Sequence, residues 1–267
     1  PTLSFFNANT ADDITIIRSL STPTTGLITG AVDFDGTDDT LSMATSSDLG
    51  FGTGDYTVEC WIYPQSVSGT LEIVLNTGGS SNTTFFFHYN QSQLSVGNQN
   101  VYISQQSTTF SNNTWYHIAA CRSGSTLKLF KNGVQVGSNA TDNTNWASGG
   151  TIIIGANSSS GQYVNGKISN LRVVKGTALY TSGFTPSTTP LTNVTNTKLL
   201  CCQDSSSSTT AAVKPGTITA NNSPTVGTAT PFNRGLGTEL TWPTSVTWNG
   251  GSAPTLAGIN PYSLTGQ

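Results

Sequence analysis

Four aspartates crowd the segment Val32-Asp33-Phe34-Asp35-Gly36-Thr37-Asp38-Asp39. Carboxylates at this density are what a calcium ion seeks, since it takes hard oxygen ligands. The spacing does not fit an EF-hand loop, whose twelfth position must supply a glutamate and here is Ala44. The same aspartates also fit Asx turns, in which the side chain accepts backbone N–H groups and fixes a hairpin. No cofactor other than calcium is suggested by the sequence. A second constellation is Trp146 with Asp142, Asn143 and Asn145 in the polar stretch 141–150. An exposed indole flanked by amides stacks on a sugar ring while the amides bond its hydroxyls. The same indole turned inward would anchor the loop on the sheet, as large aromatics are mostly buried.

Residues for catalysis are scarce. Retaining glycosidases need two carboxyls roughly 5–5.5 Å apart. The chain has Glu59, Glu72 and Glu239, far from one another in sequence. Asp33 and Asp35 share a strand face but run straight into a glycine turn. The only histidines are His88 and His117. His117 alternates with Trp115 and Ala119, which assigns it to a sandwich interior, and no Ser-His-Asp set emerges. Gly161 to Ile168 approaches a phosphate-binding loop, yet Ile168 stands where Ser or Thr should ligate magnesium, and the segment leads into a strand. Cys60 and Cys121 lie in apolar strand patterns and read as buried free thiols in preference to a bridge. Cys201 and Cys202 would point to opposite faces of a strand. The sequence therefore predicts no catalytic residues and a non-enzymatic role.

The elements that would position these residues are strands. Tyr116 to Cys121, Thr126 to Phe130 and Val134 to Val136 are separated by a Ser-Gly-Ser turn and by Asn132-Gly133. Asn-Gly between short strands is a strong hairpin signal, because both residues tolerate positive φ. A three-stranded meander over 116–136 follows. Further strands are expected at 30–34, 40–43, 56–63, 71–75, 84–88, 94–96, 151–155, 166–174 and 197–202, with a weak one at 217–220. Trp61 and Trp115 follow strand alternation and are expected in the core. Regularly spaced short strands without helical periodicity predict an all-β, two-sheet antiparallel sandwich over residues 1–232. Residues 233–267 are rich in Gly, Pro, Thr and Trp and too few for a core of their own. They read as an extended C-terminal arm, with Trp242, Trp248, Leu256 and Tyr262 available for assembly.

Only 9% of the 267 residues are charged, and the net charge is −3. Such a surface gains its solubility from Ser, Thr, Asn and Gln. It lacks the basic footprint that nucleic acid requires and any attraction to anionic membranes. No apolar run approaches the roughly 20 residues of a membrane-spanning helix. The first residue is Pro1, which fits a trimmed Met-Pro start and a processed chain equally well.

These residues carry a resemblance. Val32 to Asp39, Tyr56-Thr57-Val58-Glu59-Cys60-Trp61-Ile62-Tyr63-Pro64, Trp115-Tyr116-His117-Ile118-Ala119 with Leu129-Phe130-Lys131-Asn132-Gly133, and Gly166 to Arg172 resemble, in order, the strand motifs of concanavalin A-like (laminin-G-like) jelly rolls. The resemblance implies a jelly-roll sandwich, and its relatives often hold calcium at a rim. Laminarinase-type relatives carry their catalytic carboxylates as E-x-D-x-x-E, a motif this chain lacks. Asn170 to Tyr180, continuing into Phe184-Thr185-Pro186, is similar to the version of the domain in tailed-phage structural proteins and bacterial surface proteins. The Trp242 to Leu256 segment resembles arms of phage tail-fibre proteins. The implied role is a virion protein, tail-fibre or capsid-decorating, that contacts other virion proteins or copies of itself and host cell-surface glycans. The alternatives are an extracellular or cell-surface adhesin or carbohydrate-binding module and, less favoured, a glycoside hydrolase.

Overall fold

The computed structural model describes residues 30–44, 46–69, 71–76, 83–147, 150–157 and 162–232. The arm 233–267, with Trp242, Trp248, Leu256 and Tyr262, lies outside the described residues. Along the chain the strands are β1 (Ala31–Asp35), β2 (Thr40–Met43), β3 (Tyr56–Ser66), β4 (Leu71–Asn76), β5 (Phe85–Asn90), β6 (Gln93–Gly97), β7 (Tyr102–Ser107), β8 (Tyr116–Ser123), β9 (Thr126–Lys131) and β10 (Val134–Thr141). They continue as β11 (Ile152–Ile154), β12 (Ala156–Asn157), β13 (Gln162–Tyr163), β14 (Asn165–Lys175), β15 (Thr197–Cys201), β16 (Ala211–Val213), β17 (Ile218–Asn221) and β18 (Thr225–Gly227). Sheet A runs β10-β9-β8-β3-β14-β1-β18, with β15 also on β14 and β16 on β15; sheet B runs β17-β2-β11-β4-β5-β6-β7. Every paired strand is antiparallel, and β12 and β13 form a separate ribbon. The one helical piece among the described residues is the short 3-10 turn Ser47–Leu49. The expected all-β jelly roll is thus observed, with the 116–136 meander as β8-β9-β10.

Alternation builds the core. Tyr56, Val58, Cys60 and Ile62 of β3 face Phe85, Phe87 and Tyr89 of β5 and Leu94 and Val96 of β6 in one cluster of buried side chains. Each such side chain contributes roughly 1.5–3 kcal/mol on burial. The hairpin between β9 and β10 turns at Asn132 and Gly133, with φ of 50° and 78°. That left-handed geometry is open to Asn and Gly and closed to β-branched residues.

Residues 176–194 form an irregular strap over part of the outer face of sheet A. Tyr180 and Phe184 stack at 3.6 Å and pack against Ala119, Cys121 and Phe130. The strap is sewn down by Leu179 N–H to Thr57 Oγ1 (2.9 Å) and Phe184 N–H to the Gly133 carbonyl (2.9 Å). One expectation is corrected on this face. Trp61 and Trp115 are partly exposed on the outer face of sheet A, because β3 places Tyr56, Val58, Cys60 and Ile62 inward. The cysteine expectation is half met. All four are buried free thiols. Cys202, however, leaves β15 with φ of 60°, so its Sγ lies 3.6 Å from that of Cys201 and both side chains enter the core.

Candidate functional site

The strongest site candidate lies on the outer face of sheet B, at its β5-β6-β7 edge. Register places Phe86 beside Gly97 and Gly97 beside Tyr102, so these positions share one face. Gly97 has no side chain, and a Cβ there would meet the Phe86 ring at 2.7 Å and the Val101 carbonyl at 2.5 Å. Its absence lets the rings of Phe86 and Tyr102 meet edge to face with centroids 5.7 Å apart. Phe86 stacks on His88 at 4.7 Å, and His88 meets Tyr102 at 5.4 Å. Phe86 and His88 are buried, whereas Tyr102 is 46% exposed. Tyr102 is thus a braced aromatic platform open to solvent. Exposed amides lie near it along the chain: Gln99 and Asn100 in the turn before β7, and Gln105 further along the strand. The turn is fixed by Val101 N–H and Asn100 N–H donating to Asn98 Oδ1 at 3.0 and 2.9 Å. A rigid aromatic ring among amides offers the stacking and hydrogen-bonding chemistry that a sugar ring requires.

That chemistry was expected at Trp146, where the structure does not show it. Trp146 is 1% exposed and meets Phe85 edge to face at 5.1 Å inside the core. Its Nε1–H donates to Asp142 Oδ2 at 3.0 Å. Asp142 is itself buried, accepting from Arg122 Nη1 (3.2 Å) and the Tyr56 hydroxyl (3.3 Å). Arg122 donates further to the Thr144, Gly52 and Gly54 carbonyls. A buried charge is tolerable only when paired and bonded in this way. The loop-anchor reading therefore applies, and the indole is closed to a ligand. Asn143 and Asn145 are exposed, but they lack the aromatic partner.

The acidic segment splits in two. Asp35, Asp38 and Asp39 bring carboxylate oxygens within 4.8 Å of one another. Asp33 is not among them, because it pairs with Lys167 across β1 and β14. Tested against calcium, the three present as turn residues. Asp35 Oδ1 accepts from Thr37 N–H (2.8 Å) and Asp38 N–H (3.3 Å), and Asp39 Oδ2 accepts from Asp35 N–H (3.1 Å). The Thr37 bond holds the Asp35 carboxyl below its ordinary pKa. Burial pushes that of Asp39 up, against the bond from Asp35. Each carboxylate retains a second oxygen, so a cation is not sterically barred, but the visible work of the group is to hold the hairpin.

A buried network absent from the sequence reading joins β3, β8, β14 and the strap. Glu59 accepts from Arg172 Nε (2.9 Å) and Nη2 (2.6 Å), from the Tyr180 hydroxyl (2.9 Å), and contacts His117 Nε2 at 3.0 Å. Burial alone would push the Glu59 carboxyl up; the His117 bond and the Arg172 charge outweigh it, so its pKa lies below the ordinary value. An ionised, fully bonded carboxylate beneath a strap serves architecture, not proton transfer. In β3 Glu59 shares a face with Trp61, the face that the alternation expectation turned inward, and the strap is what closes that face over Glu59.

A family model described as the concanavalin A-like lectin/glucanases superfamily matches residues 35–179. Among solved structures, a putative carbohydrate binding protein from Bacteroides ovatus ATCC 8483 is 15% identical, with 75% of this chain and 60% of that one covered and a TM-score of 0.53. A native heptameric SAP-like pentraxin from Limulus polyphemus is 18% identical, with 76% and 96% covered and a TM-score of 0.49. At these identities the likeness is one of fold. No curated protein matches the sequence.

Proposed function

Because the chain belongs to the concanavalin A-like lectin/glucanases superfamily, we propose that it is a non-enzymatic structural subunit of a virion, tail-fibre or capsid-decorating, whose lectin-like sandwich presents Tyr102 to host-cell saccharides. The observation that carries the binding half is the exposed Tyr102 ring, braced by Phe86 and His88. Fold membership alone would leave the choice between lectin and glucanase open. The carboxylates favour the lectin. Glu59 is sealed in an ion network, and the Asp35-Asp38-Asp39 group sits on a hairpin turn that it stabilises. The virion half rests on the resemblance of Asn170 to Tyr180 to the version of the domain in tailed-phage structural proteins and bacterial surface proteins, and on a low-charge surface of polar side chains.

The test is a saccharide panel screened with the intact chain and with Tyr102→Ala. Binding to at least one oligosaccharide is expected, with the variant weakened about tenfold or more, or about 1.4 kcal/mol, and no turnover of the bound sugar. Hydrolysis of a β-glucan that is lost on changing one Asp or Glu would overturn the reading. So would saccharide binding that Tyr102→Ala leaves intact.

A further inference from the structure

Beyond the strap, the outer face of sheet A carries a group of partly exposed aromatic rings. Trp61 and Tyr63 of β3 and Trp115 just before β8 are each partly exposed there. Tyr63 and Trp115 meet at 5.3 Å, and the Phe232 ring stands edge-on to Trp61 at 5.7 Å. Trp61 Nε1 is shielded from water and has no acceptor. At its edge the patch carries the Asp33–Lys167 ion pair, Lys167 being the register partner of Tyr63. Partly exposed aromatic rings bordered by an ion pair have the make-up of a protein-docking hot spot.

The chain itself leads to this patch. Phe232, packed on Trp61, is the last described residue. Gly30, the first, gives its carbonyl to Ser169 Oγ at 2.7 Å, and Ser169 is the register partner of Trp61. The 35 residues after Phe232 hold Trp242, Trp248, Leu256 and Tyr262 and only two charged side chains, Arg234 and Glu239. Their composition matches the patch: apolar rings and prolines against apolar rings, with backbone carbonyls for an unbonded indole N–H.

We propose that the Trp61-Tyr63-Trp115-Phe232 patch is the seat for residues 233–267 of a second copy of this chain. The inference rests on the assembled, virion-subunit reading above and names the surface that assembly would use. Two copies exchanging arms reciprocally bury the same patch twice and close a symmetric contact. A fully extended 35-residue segment spans up to roughly 115 Å at about 3.3 Å per residue, so reach is no obstacle.

The experiment is sedimentation velocity on the full chain over a concentration series, compared with Trp115→Ser, Tyr63→Ser and Trp248→Ser in the full chain. The native chain is expected to associate, and each variant to weaken association by about 30-fold or more, the effect of losing a hot-spot aromatic. Combining Trp115→Ser with Trp248→Ser should add little, since one contact is lost either way. Circular dichroism identifies any variant that fails to fold. Hydroxyl-radical footprinting of the unmutated chain then gives an independent readout, in which Trp115 becomes protected as concentration rises. A native assembly unaffected by the three variants would overturn the seat while leaving the assembly reading intact. A full chain that stays monomeric at every concentration would overturn both. Protection of Trp115 by an added oligosaccharide, without association, would assign the patch to sugar and also overturn the proposal.

Discussion

Replacing Glu59 with glutamine strikes the side chain on which three strands and the strap converge. The carboxylate has no exposed surface and takes three hydrogen bonds from Arg172 and Tyr180 in addition to its 3.0 Å contact with His117. Glutamine keeps the shape but turns one acceptor into a donor facing other donors, and leaves the Arg172 charge without its partner. Removing one member of a buried ion pair costs about 3–5 kcal/mol. A chain of this size loses roughly 2–4 °C per kcal/mol, so the melting temperature should fall by roughly 6–20 °C. Differential scanning calorimetry measures the fall, and limited proteolysis should show new cleavage within residues 176–194. Tyr180→Phe removes a single bond to the same carboxylate and should cost less, about 1.5–3 kcal/mol. A Glu59→Gln chain that melts within 2 °C of the native one, with its strap still resistant, would refute the argument that this network holds the strap. The pH dependence has a definite sign. Glu59 is depressed in the folded state, so its stabilisation is fully present above the ordinary glutamate value of 4.5 and is lost as pH falls below it.

Trp146→Phe should destabilise the chain by about 1.5–3 kcal/mol in chemical denaturation, through the lost bond to the Asp142 charge, while saccharide binding stays unchanged. Gly133→Ala should cost more than the roughly 1–2 kcal/mol of a left-handed non-glycine residue, because a Cβ there would lie 1.8 Å from the Phe184 carbonyl oxygen and push the strap away. Its signature is faster proteolysis of the strap. Asp35→Ala should lose about 1–3 kcal/mol for two turn bonds of about 0.5–1.5 each, and millimolar calcium should leave the native melting point unchanged. A calcium-dependent rise abolished in Asp35→Ala would instead make the hairpin a metal site.

The strands were largely legible because their signals are local. Asn132-Gly133 fixed one hairpin, and alternation fixed β3, β8 and β14 to within a few residues. Two things were not local. Alternation names two faces without saying which one meets the core, and over Tyr56 to Cys60 of β3 both are buried, the outer one under the strap. That ambiguity misplaced Trp61 and Trp115 and hid the Glu59 network. The strap, residues 176–194, has no strand or helix periodicity that could announce it. The sugar-site error has a similar cause. Trp146 and Tyr102 sit in equally polar neighbourhoods, and only the tertiary register, with Gly97 between Phe86 and Tyr102, turns one ring outward. Strand β7, Tyr-Ile-Ser-Gln-Gln-Ser, is too polar to announce itself and is a strand because β6 pairs with it.

The pairing of β1 with β18 has a mechanical consequence. Ala31 lies opposite Gly227 and Asp33 opposite Thr225, so the start of one strand and the end of the other emerge at the same end of the pair. Tension drawn through residues 30 and 232 would meet this ladder at its open end. The hydrogen bonds would then carry the load in succession, as in a zipper, and not together, as in a lap joint. Strand β18 would peel away at low force while β14, held by β3 along nine registered positions, stayed in place. The sandwich would thus yield first at its border, giving up Val226 of β18 while the rest of the core cluster stayed packed.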